Sequence, residues 1–320
     1  MILSFLLIIL GFVALIFGAD YLVNGASSLA KKNNISDLVI GLTVVAFGTS
    51  APELVVNTVA SLDGFSDIII GNVVGSSNFN LFIILGIAAL IYPIRVQNSS
   101  IKAEIPISLL VVVLLLMLAN NFFINSIESS YISRIDGLIL CIGFIVFIFY
   151  IFKRMKNQSP QIGVQEEKKS NLKIWAYIIL GLGGLILGGK LVVDQGVNIA
   201  TNLGVSQKII GLTIIAAGTS LPELMTSVVA AFKKNSDIAI GNVIGSNIFN
   251  ILFVLSISGI IRPIEYNKEF NMDLIVLMGG TAFLMLAMRL GKSNKIDRWE
   301  ACLLFGFYLI YTLYLIFQEV

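Results

Sequence analysis

The chain has 320 residues, of which 57% are hydrophobic and only 12% charged, with a mean hydropathy of +0.93. A soluble domain carries about 25% charged residues, so this balance describes a polytopic protein embedded in a lipid bilayer, and a net charge of +2 gives nucleic acid no basic surface to bind. Histidine is absent and the two cysteines, Cys141 and Cys302, each sit in an apolar run, which excludes imidazole metal sites, Ser–His dyads and a disulfide framework.

A membrane-crossing helix needs about 20 apolar residues. The first such stretch, 2–30, has no basic region ahead of it and is too long for a signal core, so it reads as a span and not as a cleavable targeting peptide. The second and third, 37–62 and 66–92, are apolar but interrupted by the polar strings GTSAPEL (48–54) and GNVVGSSNFN (71–80). Further spans follow at 103–120 and 133–155, and then comes the one sizeable polar linker, from Lys153 to Lys173, too short for a soluble domain. The last five spans are expected at 173–203, 206–232, 236–262, 270–290 and 298–317, making ten. If the N-terminus is outside, the inner loops hold 16 of the 21 Lys and Arg, with Arg134, Lys190, Lys208, Arg262 and Lys268 left over. The positive-inside rule then predicts a multi-pass protein of the cytoplasmic membrane with both termini extracytoplasmic.

The two interrupted strings return as GTSLPEL (218–224) and GNVIGSNIFN (241–250). A constant offset of 170 aligns Gly18 with Gly188, Glu53 with Glu223, Ser66 with Ser236 and Pro93 with Pro263, and about half of positions 35–94 match their partners. Equivalent spans are five apart, an odd number, so the second copy crosses the membrane in the opposite direction. The expected fold is all-α, with ten transmembrane helices in two inverted five-helix repeats (1–155 and 173–320) joined by a short cytoplasmic linker (156–172). Interrupted helices at matching positions point to a transporter with its site at the repeat interface.

The interruptions carry oxygen. Pro52 lacks an N–H and removes the helical partner of the Gly48 carbonyl, while Gly48 permits local distortion. Thr49 and Ser50 add hydroxyls and Glu53 adds a carboxylate, and Gly218, Thr219, Ser220, Pro222 and Glu223 rebuild the group in the seventh span. Ser76 and Asn80 lie one turn apart in the third span, as do Ser246 and Asn250 in the eighth, where glycines allow close approach and local unwinding. Irregular backbone at membrane depth has to be buried in protein or line a cavity, so these groups face one another. An all-oxygen set selects hard cations, and two carboxylates neutralise one Ca²⁺ or two Na⁺. Two facing acids without a cation or proton are disfavoured, which makes ion exchange obligatory.

At these residues the chain resembles the calcium/cation antiporter superfamily, most closely its prokaryotic sodium/calcium exchanger-like members. The resemblance covers nearly the whole chain, with four motifs in the expected order. It implies that Glu53 and Glu223 are the central calcium ligands and that Thr49 and Thr219 contribute backbone carbonyls. By the same similarity Ala46, Ser50, Ser76, Ala216, Ser220 and Ser246 help form flanking sodium sites, with Asn80 and Asn250 completing the middle. Some exchangers of the family have an acid where this chain has Asn250, a change that removes one titratable group. The activity implied is exchange of Ca²⁺ for Na⁺ by alternating access, spans one and six sliding against spans two, three, seven and eight, with no cofactor and no obligatory protein partner. Exchange of Ca²⁺ for H⁺ on the same glutamates is the alternative, and K⁺ is a further possible counter-ion. An intramembrane enzyme built on Ser50 or Ser220 lacks any base, and a passive channel does not suit acids placed centrally in an inverted motif.

Other polar residues read as structural. Ser66–Asp67 and Ser236–Asp237 are expected to cap their helices, Asn72 and Asn242 to brace neighbouring helices, and Lys190 and Asp194, one turn apart, to form an ion pair near the end of span six.

Overall fold

A computed structural model describes residues 2–97, 103–120, 130–156, 170–203, 216–290 and 294–319. The first span is α1 (Ile2–Lys32). The second is assembled from α2 (Asp37–Ile40), a π-helical stretch Gly41–Val45, α3 (Ala46–Thr49) and α4 (Ala51–Asp63). The parts on either side of Ser50 are bent by 45°. The third joins α5 (Ser66–Asn78) through a π-helical stretch Phe79–Ile84 to α6 (Leu85–Ile91), and α7 (Glu104–Ala119) and α8 (Arg134–Lys156) complete the first half. The second half opens with α9 (Asn171–Asn202) and continues with α10 (Ala216–Thr219) and α11 (Leu221–Phe232); the expected start of this seventh span, from 206, lies outside the described residues. The eighth span is α12 (Ser236–Phe249), a π-helical stretch Asn250–Val254 and α13 (Leu255–Ile261), followed by α14 (Phe270–Leu290) and α15 (Arg298–Glu319). Six of the described helices are long and apolar enough to cross a membrane, seven if the bent pair counts as one. The fold is the expected all-α bundle of two inverted five-helix repeats.

Two features escaped the sequence pattern. Tyr92 and Arg262 end their helices in extended conformation, as residues before proline do. Pro93 and Pro263 then lead into two-residue strands, β1 (Ile94–Arg95) and, after β2 (Tyr131–Ile132), β3 (Ile264–Glu265). β1 pairs antiparallel with β4 (Lys295–Ile296) and β2 with β3, so each pairing stitches one repeat to the other. Buried Glu104 at the start of α7 is held by an ion pair with Arg154 of α8 and by the Tyr150 hydroxyl, which donates to it at 2.7 Å.

The expected caps are corrected. Asn235, not Ser236, caps α12, its side chain accepting from Ile238 N–H at 3.1 Å. Phe65 occupies the cap position of α5, while the Ser66 hydroxyl accepts from Glu265 N–H at 3.1 Å and so ties the helix start to β3. Nor do Lys190 and Asp194 pair among the described residues; both are exposed, and a base one turn before an acid is the weaker order on a helix.

The longest helices, α1 and α9, have 31 and 32 residues, about 46 and about 48 Å, and must tilt in a hydrocarbon layer of about 30 Å. They cross in backbone contact. A Cβ on Gly18 would lie 2.9 Å from the Gly181 carbonyl, one on Gly181 2.6 Å from Leu22 N, and one on Gly188 2.7 Å from the Gly11 carbonyl. Small residues let helix backbones meet where no hydrophobic effect drives them together. Gly241 and Gly245 do the same for the eighth span against the second, a Cβ on Gly241 falling 2.8 Å from the Leu38 carbonyl. Gly181→Val therefore has to part α1 from α9. It is expected to cost about 1–3 kcal/mol, read as a lower unfolding temperature in detergent, whereas Gly183→Ala, placed where no described atom lies within 4 Å, is expected to leave it unchanged.

Candidate cation site

Both signature strings break their helix at the serine. Ser50 has φ −81° and ψ 8°, and Ser220 φ −88° and ψ 7°, values of the sparsely allowed bridge region common at functional sites. Pro52 and Pro222 then fall in the first turns of α4 and α11, where a missing N–H costs nothing. Glu53 and Glu223 follow in the same turns, where the exposed amides of a helix start favour a negative charge. The expectation that Gly48 and Gly218 take up the distortion is corrected, since both lie inside the helical segments α3 and α10. Their lack of a side chain serves packing instead, because a Cβ on Gly48 would run into Leu182 and one on Gly218 into Val193, both of α9.

Glu53 and Glu223 are completely buried, and each is served by the opposite repeat. The Ser50 hydroxyl donates to Glu223 Oε1 at 2.9 Å, and the Ser220 hydroxyl to Glu53 Oε1 at 3.2 Å. Ser50 is one turn ahead of Glu53, so this exchange of hydroxyls brings the two carboxylates to the same place. Ser246 adds a longer bond to Glu223 Oε1 at 3.4 Å.

A symmetric brace holds the breaks together. The Thr49 hydroxyl donates to Asn242 Oδ1 at 3.0 Å and the Thr219 hydroxyl to Asn72 Oδ1 at 3.3 Å. The amide of Asn242 donates to the Glu223 carbonyl at 3.1 Å and to Ser227 at 3.0 Å, while Asn72 donates to Asn57 at 2.7 Å. Asn72 and Asn242 thus have the structural place expected of them. Ala46 is buried, its carbonyl accepting from Ser50 N–H at 3.0 Å. Ala216 begins α10 at the edge of the described residues, and its side chain lies outside them.

In the third and eighth spans the unwinding sits at the asparagines instead of the glycines. The π-helical stretches begin at Phe79 and Asn250, and such widened turns recur at functional sites. The Asn80 amide donates to Asn247 Oδ1 at 3.1 Å, and Asn247 donates onward to the Ser77 carbonyl at 3.1 Å.

Buried polar atoms normally find partners, and leaving one without costs about 1–3 kcal/mol. Here Glu53 Oε2, Glu223 Oε2, Ser76 Oγ, Asn80 Oδ1 and both polar atoms of Asn250 have none among the described residues. Asn78 Oδ1 and Glu104 Oε2, the latter at the start of α7 and outside the motifs, share this state, but the six atoms named first belong to residues the motifs single out, which fits a set of donors kept for a ligand. Thr226 Oγ1 shares this state and was missed by the sequence reading, although its spacing of three from Glu223 puts it on the same helix face. Among the described residues no three acidic or cysteine side chains come together, and what the breaks gather is two carboxylates with neutral oxygens around them. That donor set suits a hard cation such as Ca²⁺ or Na⁺.

Comparison with known proteins agrees with this geometry. The family model described as "Sodium/calcium exchanger protein" matches residues 3–153 and 173–317. Sodium/calcium exchanger MaX1 of Methanosarcina acetivorans is 32% identical, with 98% of this chain and 99% of that protein covered. Inner membrane protein YrbG of Escherichia coli is 34% identical over 97% of this chain and 96% of its own. A solved structure of the sodium-calcium exchanger NCX_Mj, soaked with Na⁺ and Sr²⁺, superposes with a TM-score of 0.84 at 34% identity, covering 98% of both chains. With both halves matched and the two broken helices facing each other, the chain belongs to the sodium/calcium exchanger family.

Proposed function

We propose that this protein is a secondary antiporter that exchanges Ca²⁺ for Na⁺ by alternating access. The observation that carries the reading is the pair of buried glutamates from inverted halves. Each accepts a serine hydroxyl from the other half on one oxygen and keeps the other oxygen without a partner among the described residues. A buried carboxylate is costly while it is ionised, and two beside each other are costlier still, so the site favours states that hold cations. One Ca²⁺ or two Na⁺ neutralise it, and departure of one kind of ion awaits arrival of the other.

In this reading Glu53 and Glu223 hold Ca²⁺, joined by the backbone carbonyls of Thr49 and Thr219. Sodium occupies flanking positions made with Ala46, Ser50, Ser76, Ala216, Ser220 and Ser246, and Asn80 and Asn250 close the middle of the cage. The repeats are residues 1–155 and 173–320, with 156–172 as a cytoplasmic linker, and both termini are extracytoplasmic. The name of the Escherichia coli relative supports a cytoplasmic-membrane location, and those of MaX1 and NCX_Mj support sodium over protons as counter-ion. The activity needs neither a cofactor nor a partner protein.

Purified protein in proteoliposomes is expected to accumulate Ca²⁺ when a Na⁺ gradient is imposed and not when a pH gradient is; uptake driven by the pH gradient alone would make the glutamates proton carriers and sink the sodium reading. Glu53→Gln and Glu223→Gln each remove one charge from a desolvated pair. Uptake should fall about 100-fold while both variants still elute as folded, monodisperse protein. Ser50→Ala takes a hydroxyl from a charged acceptor and is expected to raise the KM for Ca²⁺ about tenfold, measured as initial uptake rate against Ca²⁺ concentration.

A further inference from the structure

One cluster outside the cation site breaks the twofold relation between the halves. At the end of α11, Lys233 Nζ pairs with Asp20 Oδ1 of α1 at 2.6 Å and donates to Asn24 Oδ1 at 2.7 Å and to the Asp20 carbonyl at 3.2 Å. The Asn24 amide donates to Asp20 Oδ2 at 3.0 Å, which holds the carboxylate in place. These bonds tie α1 to the seventh span on the proposed cytoplasmic side, and α1 packs along Leu221–Phe232 up to that point.

The offset of 170 turns Asp20 into Lys190, Asn24 into Asp194 and Lys233 into Asp63. The acid–base couple returns with its signs exchanged, the base now on the long helix α9 and the acid at the end of α4. In the structure this second couple is apart. Lys190 and Asp63 are both exposed, and among the described residues neither has an ion-pair partner. The α4 face below Asp63 is equally uncovered, with Val55, Val59 and Leu62 at 62%, 52% and 65% exposure. Of their counterparts on the helix that α1 covers, Met225 and Val229 are half-buried, while Phe232 at its end is 69% exposed.

In an inverted-repeat carrier one repeat or bundle moves against the other around a fixed site, so a contact made by one half has an equivalent position in the other. We propose that Asp20–Lys233 and Lys190–Asp63 are alternate latches: the first closes the cytoplasmic side in the state described, and the second forms when α9 closes over α4 on the extracytoplasmic side. The inverted signs give each long helix one suitable partner, because Asp20 is repelled by Asp63 and Lys190 by Lys233. Half-exposed ion pairs are weak, biasing an equilibrium by about two- to fivefold, which suits contacts that break and re-form in every cycle. The proposal rests on the alternating-access reading above.

The test uses full-length protein in proteoliposomes, with Cys141→Ala and Cys302→Ala as background, carrying either Asp20→Cys with Lys233→Cys or Asp63→Cys with Lys190→Cys. A short bifunctional thiol reagent should link both pairs during turnover, identified by peptide mass spectrometry. Each link should stop Na⁺-driven Ca²⁺ uptake in the linked molecules. If the 20/233 pair links but the 63/190 pair never does, in protein that transports before treatment, the second latch is wrong and antiport stands. If the untreated background protein fails to exchange at all, the antiport reading falls instead. Charge exchange gives an independent measure: Asp63→Lys should slow uptake about two- to fivefold, and Asp63→Lys with Lys190→Asp should restore it. An absence of restoration would overturn the latch.

Discussion

An ionised carboxylate in the middle of a bilayer has to be given partners, and the architecture of this protein follows from giving them to Glu53 and Glu223. Neither glutamate is served mainly by its own repeat. Each takes a serine hydroxyl from the break in the opposite one, so the two halves have to meet at the centre with their broken helices antiparallel. The arrangement satisfies one oxygen of each acid and leaves the other without a partner among the described residues. The same desolvation that makes an unaccompanied pair costly makes a cation at that position strongly held.

The brace around the glutamates explains how the breaks survive at membrane depth. Ser50 and Ser220 adopt a backbone conformation that cannot continue a regular helix. Thr49, Thr219, Asn72 and Asn242 return hydrogen bonds across the repeat interface at these two points. The widened turns at Phe79–Ile84 and Asn250–Val254 set the asparagine side chains beside the core without ending their helices. Glycine acts at a different level. It lets α1 reach α9, lets the eighth span reach the second, and makes room for Leu182 and Val193 over the two breaks.

Around this symmetric centre the outer helices are not symmetric. α1 lies along the seventh span and is tied to its end through Lys233, while α4 presents an uncovered face to the side where α9 ends. A symmetric centre inside an asymmetric shell suits a carrier with access from one side at a time, and the proposed latches follow the direction of that asymmetry.

Much of this was legible before any coordinates. Composition gave the membrane, the offset of 170 gave the inverted repeat, and the absence of histidine beside paired glutamates pointed to the oxygen-only cation site proposed above; each depends on local chemistry or on comparison of the chain with itself. The packing level was not legible. Nothing in the string GTSAPEL says that the backbone turns at Ser50 and not at Gly48, that Ser50 serves Glu223 instead of Glu53, or that Thr226 joins the unsatisfied set. The short strands after Pro93 and Pro263, the cap at Asn235 and the pairing of Lys233 with Asp20 were equally hidden. Most of these are decided by contacts between the two halves of the chain, such as Ser50 with Glu223, 173 residues apart, and Asp20 with Lys233, 213 apart. The sequence by itself determined which chemical groups are available and that they come in two opposed copies. Which partner each group takes was settled only by the tertiary fold, because hydrogen bonds and ion pairs depend on distances that the order of residues along a chain does not contain.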